Sequence, residues 1–127
     1  LVGEYNNNNK VYRHLAGRLD KMLVPTLLFF LSQKPSHGYE LIQKIDEANF
    51  CELEVDPATI YRNLRKMEED GLVISKWQAE SIGPSRRLYQ LTAEGERALI
   101  YCVELVKEKV DNLQTFLNEY RNWAGRE

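Results

Sequence analysis

Apolar residues recur at helical spacing over several stretches of this chain and alternate with polar ones over a few short stretches. Val11, Leu15, Leu19 and Met22 stand four, four and three residues apart, which predicts an amphipathic helix over residues 10–22, with Gly17 as its weak point. Val24-Pro25-Thr26 reads as a fresh helix start, because proline fits a first turn but not a helix interior. The Leu27-Leu28-Phe29-Phe30-Leu31 run that follows is apolar on nearly every side and predicts a central core helix. Lys34-Pro35 ends it, and Ser36 is placed to cap a third helix with Glu40 in its first turn and Leu41, Ile42 and Ile45 facing inward. Leu53 and Val55 alternate with Glu52 and Glu54, so residues 49–55 suit a short extended piece.

Asp56-Pro57 opens the next helix with a side-chain acceptor followed by proline at the first helical position. At 100° per residue, Ile60, Leu64 and Met67 share one side, whereas Ala58, Arg62, Arg65 and Lys66 lie opposite, flanked by Thr59 and Tyr61. Glu68-Glu69-Asp70 makes its far end acidic, and Gly71 is the expected left-handed cap. Residues 72–77 and 87–91 are rich in strand formers, separated by the turn residues Ile82-Gly83-Pro84-Ser85 and adjacent Arg86 and Arg87. Thr92 then caps a last helix on which Leu99, Val103, Val106, Val110, Leu113, Leu117, Tyr120 and Ala124 alternate at four and three. Ile100, Cys102, Leu105 and Phe116 lie beside this heptad seam. One small domain cannot cover a helix of ~45 Å, so one side is expected to pack on its own domain and the seam to meet another chain.

At 127 residues and 43% hydrophobic, the chain supports one compact domain plus an extension. The net charge of −2 is unevenly spread: residues 1–35 carry five basic and two acidic residues, and residues 36–55 one basic and five acidic. Residues 56–91 carry six basic against five acidic, so an argument for nucleic acid depends on where the charges point. The run Asn6-Asn7-Asn8-Asn9 reads as a polar tail. Cys51 and Cys102 form neither a disulfide framework nor a zinc site and suit buried apolar-like roles, and the compartment expected is the cytoplasm. No apolar run approaches the ~20 residues that span a bilayer. His37 suits a local capping role, and Tyr89 in a strand is a more structural residue than Tyr61. No activated nucleophile, carboxylate pair, phosphate-binding glycine loop or metal cluster emerges, so neither an enzyme nor a bound metal or cofactor is expected.

These elements compose a winged helix-turn-helix: mainly α with a small β-hairpin, plus a long carboxy-terminal dimerisation helix. Residues 1–22 read as an extension, 23–91 as the DNA-binding domain and 92–127 as the dimerisation helix. Four local sequences narrow the match: Pro35-Ser36-His37-Gly38-Tyr39-Glu40-Leu41, Pro57-Ala58-Thr59-Ile60-Tyr61-Arg62-Asn63-Leu64, Glu69-Asp70-Gly71-Leu72-Val73, and Arg86-Arg87-Leu88-Tyr89-Gln90-Leu91-Thr92-Ala93-Glu94-Gly95. Together they resemble the PadR family of bacterial transcriptional regulators, over residues 25–120. The resemblance implies a homodimeric repressor of the short type, built on one carboxy-terminal helix. It implies DNA contacts from Tyr39, Thr59, Tyr61, Arg62, Lys66, Arg86 and Arg87, to which the helical wheel adds Ala58 and Arg65. The amino-terminal extension has no counterpart in the barest family pattern.

The partners expected are therefore a palindromic double-stranded DNA operator and a second copy of the chain held through Leu99, Val103, Val106, Val110, Leu113, Leu117 and Tyr120. Phe116, Tyr120 and Trp123 form a candidate cavity between subunits for a small aromatic effector, weighed against simple packing at the end of a coiled coil. The alternative function is a winged helix that docks a protein without reading DNA.

Overall fold

The computed structural model describes residues 10–17, 22–48, 56–78 and 86–126. The elements run α1 (Lys10–Gly17), α2 (Leu23–Gln33), β1 (Ser36–His37), α3 (Gly38–Glu47), α4 (Pro57–Glu69), β2 (Val73–Gln78), β3 (Arg86–Leu91) and α5 (Ala93–Ala124). The polar tail at residues 6–9 and the extended piece expected at residues 49–55, with Cys51 in it, lie outside the described residues.

α2 is the axle of the core. Leu23, Val24, Leu27, Leu28, Phe30 and Leu31 are all buried in it, and they pack with Leu41 and Ile45 of α3, Ile60, Leu64 and Met67 of α4, and Ala98, Tyr101 and Cys102 of α5. Each of α3 and α4 presents one apolar face to this centre, as the sequence spacing predicts. α1 adds Tyr12 and Leu15, and the Tyr12 ring lies 4.8 Å from that of Tyr101.

Two expectations are corrected near the amino terminus. The first helix does not run unbroken through Met22, because Met22 has φ 61 in the left-handed region. It precedes α2 instead, and its carbonyl accepts from the Thr26 amide at 3.1 Å. Ser36 is not the cap of α3. Pro35 and the extended backbone of Lys34 deliver Ser36 and His37 as a short strand, with Ser36 buried opposite Tyr89. The capping position falls to His37, whose amide donates to Glu40 Oε1 at 2.8 Å. That bond, with the nearby His37 ring and Lys34, holds the Glu40 carboxyl below its usual range. The hairpin is consequently the larger part of a three-stranded antiparallel sheet in the order β1-β3-β2.

Two glycines are fixed by geometry. Gly71 has φ +78 and turns the chain from α4 into β2, as its predicted role requires. Gly95 allows the first turn of α5 to press on the hairpin, because a Cβ there would lie 2.1 Å from the Leu72 carbonyl oxygen. Thr92 completes this joint: its hydroxyl accepts from the Gly95 amide at 3.0 Å and donates to the Gly71 carbonyl at 2.7 Å.

α5 divides into two halves. Ala98, Tyr101 and Cys102 are buried, with Leu99, Leu105 and Val106 packed partly against the core. From Lys107 to Arg126 every residue is exposed. The face turned to its own domain therefore differs from the one read in the sequence. Ile100 and Phe116 stand in solvent, whereas Leu99 and Val106, two residues of the seam, are shared with the core.

Candidate nucleic-acid interface

α4 is held at its start by Asp56, whose carboxylate accepts from the Thr59 amide at 2.7 Å. This hydrogen bond keeps the Asp56 carboxyl below its ordinary range. With Ile60, Leu64 and Met67 buried, the helix cannot roll, and Ala58, Tyr61, Arg62, Arg65 and Lys66 are left exposed, with Thr59 half-buried. Asn63 is also buried, a residue the sequence reading passed over. Its side-chain amide donates to the Thr59 carbonyl at 2.8 Å, so it serves the helix rather than solvent.

The outward residues fall into two groups. Tyr61 and Arg65 line a recess with Glu68, Arg87 and Tyr89 between α4 and the sheet. Lys66 turns to the opposite side, where its Nζ lies 3.1 Å from Asp70 Oδ1, beside Lys10, Arg13 and His14 of α1. The Tyr61 ring also sits on the start of α3, with Gly38 lacking the side chain that would collide with it.

The two wing arginines are not free arms. Arg86 Nη1 donates to the Tyr39 hydroxyl at 2.7 Å and its guanidinium lies 4.7 Å from the centre of the Tyr39 ring. The other face of this arrangement involves His37, whose ring stacks with Tyr39 at 5.6 Å. Arg87 lies 4.8 Å from the centre of the Trp77 ring, its partner across the hairpin, and donates to Ser75 Oγ at 3.0 Å with Glu68 Oε1 at 3.5 Å. Ser75 in turn donates to the Glu68 carboxylate at 2.9 Å. Two of the three acids at the end of α4 are thus matched by neighbouring cations, which softens the repulsion of phosphate that their sequence alone implies. The residues between the two strands, 79–85, lie outside the described residues.

His37 joins the site from the side. Its Nε2 lies 2.8 Å from Gln78 Oε1, tying the start of α3 to the end of β2. Neither Trp77 nor Gln78 was singled out by the sequence, because their partners follow only from the hairpin register, Trp77↔Arg87 and Gln78↔Arg86. Tyr89 is buried, and burial pushes its hydroxyl above the usual tyrosine range, which fits its predicted structural role.

Phe116, Tyr120 and Trp123 stand on the surface of α5, with the Tyr120 and Trp123 rings 6.4 Å apart. An apolar groove of about 260 Å³ forms elsewhere, between α2 and α5, lined by Met22, Pro25, Thr26, Phe29, Leu99, Cys102, Val103, Val106 and Lys107. Cys102 lies at its floor with its thiol pushed up to about 12 by burial, an inert thiol rather than a nucleophile. Among the described residues no group of histidines, cysteines and carboxylates could hold a metal ion, and no helix is long and apolar enough to cross a membrane.

Helices α2, α3 and α4 around one core, a three-stranded sheet beside α4 and a basic outer face on that helix define a winged-helix DNA-binding transcriptional regulator. The family model for the transcriptional regulator PadR-like family matches residues 27–100, and the chain belongs to that family, whose members are not enzymes. A transcriptional regulator from Mycobacterium tuberculosis is 32% identical over 73 residues, covering 58% of this chain and 64% of that protein. Among solved structures, a PadR-like transcriptional regulator from Bacillus cereus is 30% identical with a TM-score of 0.61, covering 76% of this chain and 94% of that one. A PadR family regulator from Clostridium difficile is 26% identical with a TM-score of 0.59, covering 78% and 97%.

Proposed function

We propose that the protein is a homodimeric, sequence-specific repressor that seats two copies of α4 in successive major grooves of a palindromic operator. The observation that carries the dimer is the distal half of α5, where Val110, Leu113, Leu117 and Tyr120 are all exposed along one stripe. Such a stripe at heptad spacing is stabilised by a second helix. Leu99, Val103 and Val106 continue it toward the core. In this reading residues 23–91 form the reading unit, residues 92–127 the dimer, and residues 1–22 an extension.

Tyr39, Ala58, Thr59, Tyr61, Arg62, Arg65, Lys66, Arg86 and Arg87 are the proposed DNA contacts. Arg62, exposed near the middle of α4, is the best placed to reach base edges, whereas the hydroxyls of Tyr39, Thr59 and Tyr61 suit phosphate oxygens. Arg86 and Arg87 would exchange their tyrosine, tryptophan and carboxylate partners for phosphate. Occupancy of the promoter accounts for repression. A small aromatic effector bound between subunits near Phe116, Tyr120 and Trp123 would relieve it by favouring a dimer with a different spacing of reading helices.

Selection of bound DNA from a random pool tests the reading directly. The expected product is an inverted repeat with half-site centres about one helical turn apart. Binding should weaken steeply with salt, and an Arg62→Ala, Lys66→Ala variant should lose it. Recovery of no enriched sequence, or equal binding by that variant, would sink the reading.

A further inference from the structure

The amino-terminal helix brings charge to the far end of α4. A crevice of about 530 Å³ opens between α1 and the last turn of α4, lined by Lys10, Val11, Arg13, His14, Lys66 and Asp70. Three cations, a histidine and one carboxylate thus line the crevice, and the carboxylate lies 3.1 Å from Lys66 Nζ. Among the described residues Lys10 and Arg13 have no acidic partner. Their direction is set by the rest of α1: Tyr12 and Leu15 are buried, which leaves Lys10 and Arg13 exposed on the outer side. Lys66 stands one turn after Arg62 on the outer stripe of α4, so the basic surface continues from the middle of that helix into α1.

We propose that α1 is a backbone clamp for DNA, in which Lys10 and Arg13, together with Lys66, hold phosphates that flank the half-site read by α4. This inference rests on the reading of α4 as the DNA-facing helix. An open crevice with flexible, hydrated cations suits phosphate oxygens rather than base edges, so the contribution is to affinity and register and carries no sequence preference. The carboxylate of Asp70 does not defeat it, because three cations against that one charge leave the crevice net positive.

The test compares an operator trimmed to its two half-sites with the same operator extended by about ten base pairs, one helical turn, on each side. The parent protein should bind the extended duplex roughly tenfold more tightly, and its affinity should fall steeply with salt. A Lys10→Ala, Arg13→Ala variant should bind both duplexes alike, with a slope of log affinity against log salt shallower by about 0.9 for each phosphate that is no longer neutralised. A Lys10→Arg, Arg13→Lys variant should behave as the parent. The clamp is overturned if the alanine variant keeps the parent's length dependence and salt slope. It is equally overturned if the charge-conserving variant shares the defect, which marks a structural role for α1. Failure of the parent to bind either duplex rejects the reading of α4 itself, an outcome distinct from the other two.

Discussion

The two halves of α5 belong to one unbroken helix of 32 residues, yet they meet opposite surroundings. In the first half, Ala98, Tyr101 and Cys102 are sealed against α2 and α1, and Gly95 lets the backbone press on the hairpin. In the second half, Leu113, Phe116, Leu117, Tyr120 and Trp123 are each about half exposed or more. The apolar spacing is similar in both. What differs is whether anything lies opposite, so periodicity reports that a face wants cover and says nothing about which chain provides it.

The largest effect is expected from breaking the distal half. A Leu113→Asp, Leu117→Asp variant should weaken self-association at least a hundredfold, on the order of 3 kcal/mol, because two charges from each chain would enter an apolar seam. Sedimentation equilibrium checks it: a parent of monomeric mass would refute the dimer, and a variant that keeps a dimeric mass would refute the seam. The melting temperature should at the same time lose its dependence on protein concentration.

Next in size is Gly95→Ala, which strikes the proximal half. The new Cβ must displace the Leu72 backbone or the Leu91 side chain, and a loss of roughly 2–3 kcal/mol is expected from such overpacking. Chemical denaturation should show this loss even in the association-deficient background, since the joint lies within one chain. Equal stability of Gly95→Ala and parent would mean that the first turn of α5 sits further from the hairpin.

A smaller loss, about 1 kcal/mol, is expected for Tyr12→Leu, which keeps an apolar residue but removes the ring that meets Tyr101. The least effect at neutral pH belongs to Cys102. Its thiol is raised from an ordinary 9.0 to about 12 by burial, so the folded state holds the proton that the unfolded chain releases. Stability linked to it is intact below pH 9 and declines as pH rises from 9 toward 12; Cys102→Ala should remove this share of the slope and leave that of the raised Tyr89 and Tyr101 hydroxyls above pH 10. At a pH of about 8 a thiol reagent should leave Cys102 unmodified in the native protein. A cysteine placed at Leu113 should react quickly in the monomer and more slowly once the seam is covered.

The sequence disclosed α4 nearly whole, since Asp56 and Pro57 mark its start, Gly71 follows its end, and the wheel separates Ile60, Leu64 and Met67 from Arg62 and Arg65. These are signals carried by near neighbours. β1 was not legible, because two residues have no periodicity and their pairing with Leu88 and Tyr89 exists only in three dimensions. The shift of the cap from Ser36 to His37 has the same origin: Ser36 is drawn into the sheet. The positions of Arg86 on Tyr39 and Arg87 on Trp77 depend on register and on the approach of α3, so adjacent arginines in a sequence could be read only as charge. The approach of Lys66 to α1 was hidden for a related reason, since spacing gives a face but not its neighbour.

The close approach of Gly38 and Tyr61 couples two positions far apart in the chain. A methyl group on residue 38 would collide with Cε1, Cζ and the hydroxyl of Tyr61, the outer end of an exposed side chain, so bulk added there pushes the ring off the start of α3 toward solvent. The glycine therefore sets where the tyrosine ring is seated on α3.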